Sequence, residues 1–211
     1  LILVDVNTLA DGLPRNNFLK RALTWNDGNV LDGARHITIA GYIVYITTPN
    51  ALVVLDLNDP LSPKLINRIK MTDPRASALQ FRYLFVTDQD GLKIFDATSP
   101  SNISSSPVAS VALNDAKKVY VARTYAYVAA GKDGLAIINV KNPEKPALYE
   151  MFTANGELND AQDVIVGSTN ASLFAYVADG KNGLKVIQLT APDTQPGYYG
   201  FSPEPKPQLI S

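Results

Sequence analysis

Cysteine is absent from this chain of 211 residues, and histidine occurs once, at His36. Without thiols there are no disulfides, no thiolate metal sites and no attached c-type haem, which needs Cys-x-x-Cys-His. The absence does not fix the compartment, because many exported bacterial proteins also lack cysteine. With one histidine, a protein zinc site would have to be mostly carboxylate, which is atypical of zinc. No apolar run approaches the ~18 residues of a membrane-spanning helix, and no signal-peptide pattern is visible. Neither sign of charge dominates: 19 basic and 20 acidic residues give a net charge of −1. The electrostatic footprint of a nucleic-acid or anionic-membrane binder is therefore missing. Helix signals are also scarce, and no segment reads as a helix of three turns.

What the sequence does have is a repeat. Four runs align: Ala51-Leu52-Val53-Val54-Leu55-Asp56, Gly91-Leu92-Lys93-Ile94-Phe95-Asp96, Gly134-Leu135-Ala136-Ile137-Ile138-Asn139 and Gly183-Leu184-Lys185-Val186-Ile187-Gln188. Their second residues, Leu52, Leu92, Leu135 and Leu184, stand 40, 43 and 49 positions apart. A partial fifth copy, Leu1-Ile2-Leu3-Val4-Asp5, opens the chain as a strand already under way. That start reads as a processed product or a piece of a longer polypeptide.

Other landmarks keep step with these runs. A proline follows four residues after each (Pro60, Pro100, Pro143, Pro192), and a second soon after (Pro63, Pro107, Pro146, Pro196). Upstream lie aromatic-led stretches at Tyr42–Ile46, Tyr83–Val86, Tyr125–Val128 and Phe174–Val177. Further upstream an alanine (Ala34, Ala76, Ala116, Ala161) opens another strand-like run. Each unit reads as four short strands, a to d, because the b and c runs are rich in Val, Ile, Tyr and Phe. Asp90-Gly91, Asp133-Gly134 and Asn182-Gly183 between b and c are hairpin signals, since these residues tolerate positive φ.

Four strands per unit of 40–45 residues predict an all-β chain, a β-propeller of four-stranded antiparallel blades. The count is about four full blades plus a half blade, which reads as an incomplete ring. The units fall at 1–29 (partial blade), 30–71, 72–113, 114–154 and 155–211, the last carrying a proline-rich tail. The stranded half blade predicts that further sequence or another chain completes the ring.

The runs Leu52–Asp56 and Leu1–Asp5, the aromatic-led b strands and Asn142-Pro143 resemble the LVIVD repeat family. The resemblance covers nearly the whole chain. It implies a propeller in bacterial or archaeal proteins that are usually exported or displayed at the surface, some of them alongside multihaem cytochromes. No catalytic residues come with it. The Trp-Asp and Gly-His signals of WD40 proteins are missing. The first unit departs from the pattern: it lacks strands a and b, and has Pro14 but no proline four residues after Asp5.

The chemistry-bearing motifs are weak by comparison. No Gly-x-Ser-x-Gly run accompanies His36. Asp88-Gln89-Asp90-Gly91 resembles part of a calcium loop, but its twelfth position is Ser99 where glutamate is needed. Gly131-Lys132-Asp133-Gly134 and Gly180-Lys181-Asn182-Gly183 could suggest phosphate cradles, yet lack the Gly-Lys-Ser/Thr ending and a following helix, and read as b–c turns. Asn102-Ile103-Ser104 and Asn170-Ala171-Ser172 match the N-glycosylation pattern. The loop Gly167–Ser172 lengthens one a–b hairpin.

In a four-stranded antiparallel blade the d–a links and b–c turns emerge on one face. That face gathers Asp32, Asp73, Asp88, Asp90, Asp115, Asp133, Asp160 and Asp179, and is expected to be acidic. Strand-a positions 36, 78, 118 and 163 (His, Ala, Lys, Asp) are expected at one mouth of the channel. His36, Lys118, Asp163, Asp115 and Asp160 are thus the candidate channel-mouth or partner contacts. No cofactor or metal is expected.

The expected function is a non-catalytic extracellular interaction scaffold, docking to a protein partner or to further segments of the same polypeptide. Unpaired strands of the first and last blades are the expected attachment edges. Two alternatives stay open: a carboxylate- or calcium-dependent hydrolase or lyase with a channel-mouth site, and an accessory subunit of a multihaem electron-transfer assembly.

Overall fold

The computed structural model describes residues 1–6, 12–13, 19–169, 172–192 and 202–211. Pro14, Pro196 and the loop residues Asn170-Ala171, with their glycosylation pattern, lie outside the described residues. Helical structure in the described residues is confined to single 3₁₀ turns at Asp27–Asn29, Pro100–Asn102, Ala154–Gly156 and Gly180–Asn182.

The chain opens with an antiparallel pair, β1 (Ile2–Asp5) and β2 (Lys20–Thr24). Four antiparallel sheets follow, each hydrogen-bonded in chain order. The first holds β3 (His36–Ala40), β4 (Ile43–Thr48), β5 (Ala51–Asp56) and β6 (Lys64–Lys70). The second holds β7 (Ala76–Gln80), β8 (Tyr83–Asp88), β9 (Gly91–Asp96) and β10 (Ala109–Ala112). The third holds β11 (Val119–Ala122), β12 (Tyr125–Ala129), β13 (Leu135–Asn139) and β14 (Ala147–Phe152). The last holds β15 (Asp163–Thr169), β16 (Ser172–Ala178), β17 (Leu184–Thr190) and the short β18 (Gln208–Leu209).

The first strands of neighbouring sheets touch, β3 to β7, β7 to β11 and β11 to β15, so they line the axis while the fourth strands lie outside. This is a β-propeller: two-strand half blade, then four blades. A register irregularity recurs at equivalent points of the c–d ladders, at Leu3/Val4, Val54/Leu55 and Ile137/Ile138. A bulge at this place bends the outer strand and sharpens blade twist.

The core lies between blades. Strand b of one blade presents an aromatic ring, and strand b of the next presents smaller aliphatic residues to it. Tyr45 packs with Leu84 and Val86, Phe85 with Ala126 and Val128, and Tyr127 with Ala175 and Val177. The c strands add Leu52 and Val54, Leu92 and Ile94, Leu135 and Ile137 to the same layers. Both faces of an interior blade are thereby buried, which is why β8 and β12 are buried without alternation. The half blade contributes Leu1 and Trp25 to the layer of Val44, Ile46, Val53 and Leu55. Among the described residues it has no a and b strands to cover β3, and Ile37 and Ile39 are exposed there.

Candidate functional site

The d–a links and b–c turns do meet on one face. Met71 and Asp73 donate their amides to the carbonyls of Asn50 and Pro49, and Gly131 exchanges backbone bonds with Ala161. The carboxylates gathered there are already engaged. Asp88 and Asp179 are fully buried. Asp88 accepts from the Asp90 amide at 2.9 Å and from Lys93, closing a hairpin turn. Asp179 accepts from the amides of Asn159 (3.2 Å) and Asp160 (2.6 Å) and from Asn182 Nδ2 (2.8 Å). Asp32 accepts from Asn26, and Asp133 from Asn114.

Two carboxylates of the expected acidic face, Asp73 and Asp115, are paired with a row of basic side chains. Strand-a backbone amides donate to the last residues of strand b: Arg35 to Thr47, Arg75 to Thr87, Lys117 to Ala129 and Gln162 to Ala178. Arg35, Arg75, Lys117 and Gln162 therefore occupy one repeated position. Two residues before them stand Gly33, Asp73, Asp115 and Asp160. Arg35 Nη1 reaches Asp73 of the next blade at 2.5 Å, and Arg75 holds Asp73 of its own blade at 3.0 Å. Arg75 Nη1 then reaches Asp115 of the following blade at 2.7 Å, and Lys117 approaches Asp115 at 3.5 Å. The hydrogen bond from Arg35 is the main cause that holds the Asp73 carboxyl below its ordinary range, with Arg75 adding to it. The sequence signal for this ladder, Asp-x-Arg/Lys at Asp73-Pro74-Arg75 and Asp115-Ala116-Lys117, was present; the basic residues were the part missed.

The glycines of the two Gly-Lys-x-Gly turns have a steric role. A Cβ on Gly131 (φ +55°) would stand 2.2 Å from Asp115 Oδ2, and one on Gly180 (φ +51°) would strike Asp160 Oδ2 in the same way. Glycine is required because it adopts positive φ and lets the carboxylate approach the turn.

The ladder also corrects the alignment at the channel mouth. His36 pairs with Thr47 and Ala76 with Thr87, while Asp163 pairs with Ala178 and the Lys118 carbonyl accepts from Ala129. The equivalent set is His36, Ala76, Lys118 and Asp163. Ala78 lies two residues further along β7, a short strand with no aromatic residue to anchor its register.

The structure brings His36 and Lys118 together, although one whole blade lies between them in the repeat: Lys118 Nζ lies 2.5 Å from His36 Nε2. His36 Nδ1 accepts from the Ser77 backbone amide at 3.2 Å. Burial, then the neighbouring Lys118 charge, lowers the imidazole pKa to about 4, with Asp163 opposing weakly. Asp163 itself accepts from the Val164 amide at 2.7 Å. Asp115 belongs to the arginine ladder, and Asp160 accepts from Gln162. His36, Lys118 and Asp163, with Arg35, Arg75, Lys117 and Gln162, line an open cleft of about 490 Å³. Among the described residues no cluster of three or more His, Cys, Asp or Glu could hold a metal ion, and no helix is long and apolar enough to cross a membrane.

Several solved structures share this architecture. A functionally unknown protein from Desulfotomaculum acetoxidans DSM 771 matches all of the chain over 62% of its own length, with TM-score 0.69 and 11% identity. The computationally designed Ika4 protein matches 74% of the chain over 91% of its own, with TM-score 0.55 and 11% identity. BamB from Moraxella catarrhalis matches 79% of the chain over 45% of its own, with TM-score 0.53 and 11% identity. At such identity the likeness is one of fold. The chain thus spans less than two thirds of the length of two of these three proteins. No curated protein matches the chain. The LVIVD repeat model matches residues 33–70, 114–154 and 160–192, more than half of the sequence. With its blades, its register and these three matches, the chain belongs to the LVIVD repeat family.

Proposed function

We propose that the chain is a non-catalytic interaction scaffold, acting outside the cell, that holds a β-sheet partner against the outward face of its last blade. One observation carries the proposal. That face, made by Ile165, Phe174, Tyr176, Leu184 and Val186, repeats the side chains that interior blades bury. Phe174 and Tyr176 occupy the places of Tyr125 and Tyr127, and Val186 that of Ile137, by their ladder pairing. Yet Ile165 is 55% and Leu184 63% exposed. Contiguous apolar surface of this kind marks an interaction site.

The occupant is defined by the three covered interfaces. Each aromatic ring is met by a strand carrying small aliphatic residues at alternate positions, so the fitting partner is a blade-like sheet rich in Val and Ala. Whether a separate protein or a further segment of a longer polypeptide brings that sheet, its chemistry is the same. The family resemblance supports the extracellular setting. The engagement of Asp115 with Arg75 and of Asp160 with Gln162 favours a scaffold over a carboxylate-based hydrolase.

Sedimentation tests this. Purified from its native source, the protein should sediment as an assembly heavier than the 22.8 kDa of this chain. Lysine at both Phe174 and Tyr176 should release the added mass, or unfold the sheet that supplies it. A native species whose mass is that of this chain alone, or one unmoved by the two lysines, overturns the reading.

A further inference from the structure

The mouth of the channel holds more hydrogen-bond donors than acceptors. Ser77 presents its backbone N–H to His36 Nδ1 at 3.2 Å. A backbone amide donates at every pH, so Nδ1 must be the bare, accepting nitrogen. The proton of the neutral ring then sits on Nε2, because a neutral imidazole has one donor and one acceptor. Lys118 Nζ, which only donates, stands 2.5 Å from that same Nε2. Two N–H groups therefore stand side by side at the mouth, and among the described residues neither has an acceptor.

The surrounding charges narrow what could satisfy them. Arg35, Arg75 and Lys117 are matched with Asp73 and Asp115 in the ladder. Over the cleft as a whole, Arg35, Arg75, Lys117 and Lys118 face Asp73, Asp115 and Asp163, a surplus of one positive charge. A monoanion balances that surplus. A phosphate dianion would exceed it. A planar carboxylate also offers two oxygens, one for each donor.

We infer that the channel mouth is a carboxylate-binding site, in which the ligand's oxygens accept from His36 Nε2–H and Lys118 Nζ. The cleft of about 490 Å³ admits a small organic acid or an aspartate or glutamate side chain of a partner. The site lies at the axial strands and the face proposed for docking lies on the outside of the last blade, so the two stand or fall separately.

The test is an NMR titration of the full chain that follows the His36 ring nitrogens, with acetate as probe and inorganic phosphate as control. The expected result is a ring protonated at Nε2 whose signal shifts and saturates with millimolar acetate. Lys118→Met should weaken the binding by ~10-fold or more, the worth of one charged hydrogen bond, and Lys118→Arg should largely retain it. Both variants are judged at equal thermal stability, and the tautomer of the unsubstituted protein stands as an independent readout if either fails to fold. A short peptide with one glutamate that binds more tightly than acetate, while its glutamine counterpart is silent, assigns the ligand to a partner's side chain. Acetate or succinate binding as tightly as that peptide assigns it to a free acid. A ring protonated at Nδ1, no saturable shift, phosphate binding as well as acetate, or undiminished binding in Lys118→Met overturns the site.

Discussion

Strands β12 and β16 read Tyr125-Ala126-Tyr127-Val128-Ala129 and Phe174-Ala175-Tyr176-Val177-Ala178, nearly the same sequence. All five residues of β12 are buried, whereas burial in β16 alternates. Val177 and Ala175 face β12, while Phe174 and Tyr176 face outward. Burial here follows position in the array: each blade carries two adhesive faces, and the last has one left over. The Tyr176 ring lies against Gly167, whose missing side chain lets it rest on its own sheet. That partial self-cover explains why Tyr176 is half-buried although no blade among the described residues stacks on it.

The comparison breaks most readily at the tyrosines. Tyr127→Ala should cost roughly 3–5 kcal/mol by emptying a packed interior layer, while Tyr176→Ala in the isolated chain should cost about 1 kcal/mol or less. Denaturant unfolding of the two variants measures both, and equal losses would erase the distinction between the blades.

The turn glycines extend the same contrast. A Cβ at Gly91 would stand 2.2 Å from the Val111 carbonyl oxygen and 2.6 Å from the Leu113 amide, both backbone atoms of its own blade. At the matching Gly183 (φ +81°) a Cβ meets nothing within 4 Å. Gly91→Ala should cost roughly 2–4 kcal/mol through overpacking and backbone strain. Gly183→Ala, at φ +81° and ψ −145°, should cost only the penalty of a glycine-only backbone region, roughly 1–3 kcal/mol, and less than Gly91→Ala. Thermal melts of the pair read the difference.

Charge gives a smaller effect. Arg75 joins two blades through Asp73 and Asp115, so Arg75→Ala should lose about 1 kcal/mol, less at high salt because the pairs are partly exposed. Gln162→Ala, at the same position of the last blade, should change stability by under ~0.5 kcal/mol. Unfolding at low and high ionic strength separates the two.

The smallest effect expected is in pH. His36 titrates at about 4 in the folded protein against an ordinary 6.5. The unfolded chain takes up the proton first, so the stabilisation is complete above pH 6.5 and is lost as pH falls from 6.5 towards 4. For this partly exposed ring the loss is on the order of 1 kcal/mol or less. His36→Gln should flatten the stability curve over that window. The carboxyl of Asp73, held low by Arg35 and Arg75, weakens the fold only below the ordinary carboxylate range.

The fold was legible because strands b and c are long, apolar on both faces and closed by Asp-Gly or Asn-Gly turns, signals that depend on local chemistry alone. The half blade showed in Leu1–Asp5 for the same reason. Strand a is harder to read: β7 carries no aromatic anchor, so the repeat puts Ala78 where the structure puts Ala76. The Arg35–Asp73–Arg75–Asp115–Lys117 ladder depends on how far one blade is offset from the next, which spacing within a repeat does not encode. His36 and Lys118 could be assigned to one mouth from the repeat, but their meeting across one whole blade depends on the curvature of the stack. The last blade was legible as an attachment site, but through its edge strand; its outward face was not, because its sequence is that of a buried blade.

Hydroxyl-radical footprinting of Tyr176 against Tyr127 tests the docking claim most directly, on this chain alone and on the protein from its native source. Tyr127 should be protected in both. Tyr176 should be oxidised in the isolated chain and protected in the native protein, where a sheet covers it. Oxidation of Tyr176 to the same extent in both preparations would contradict the account.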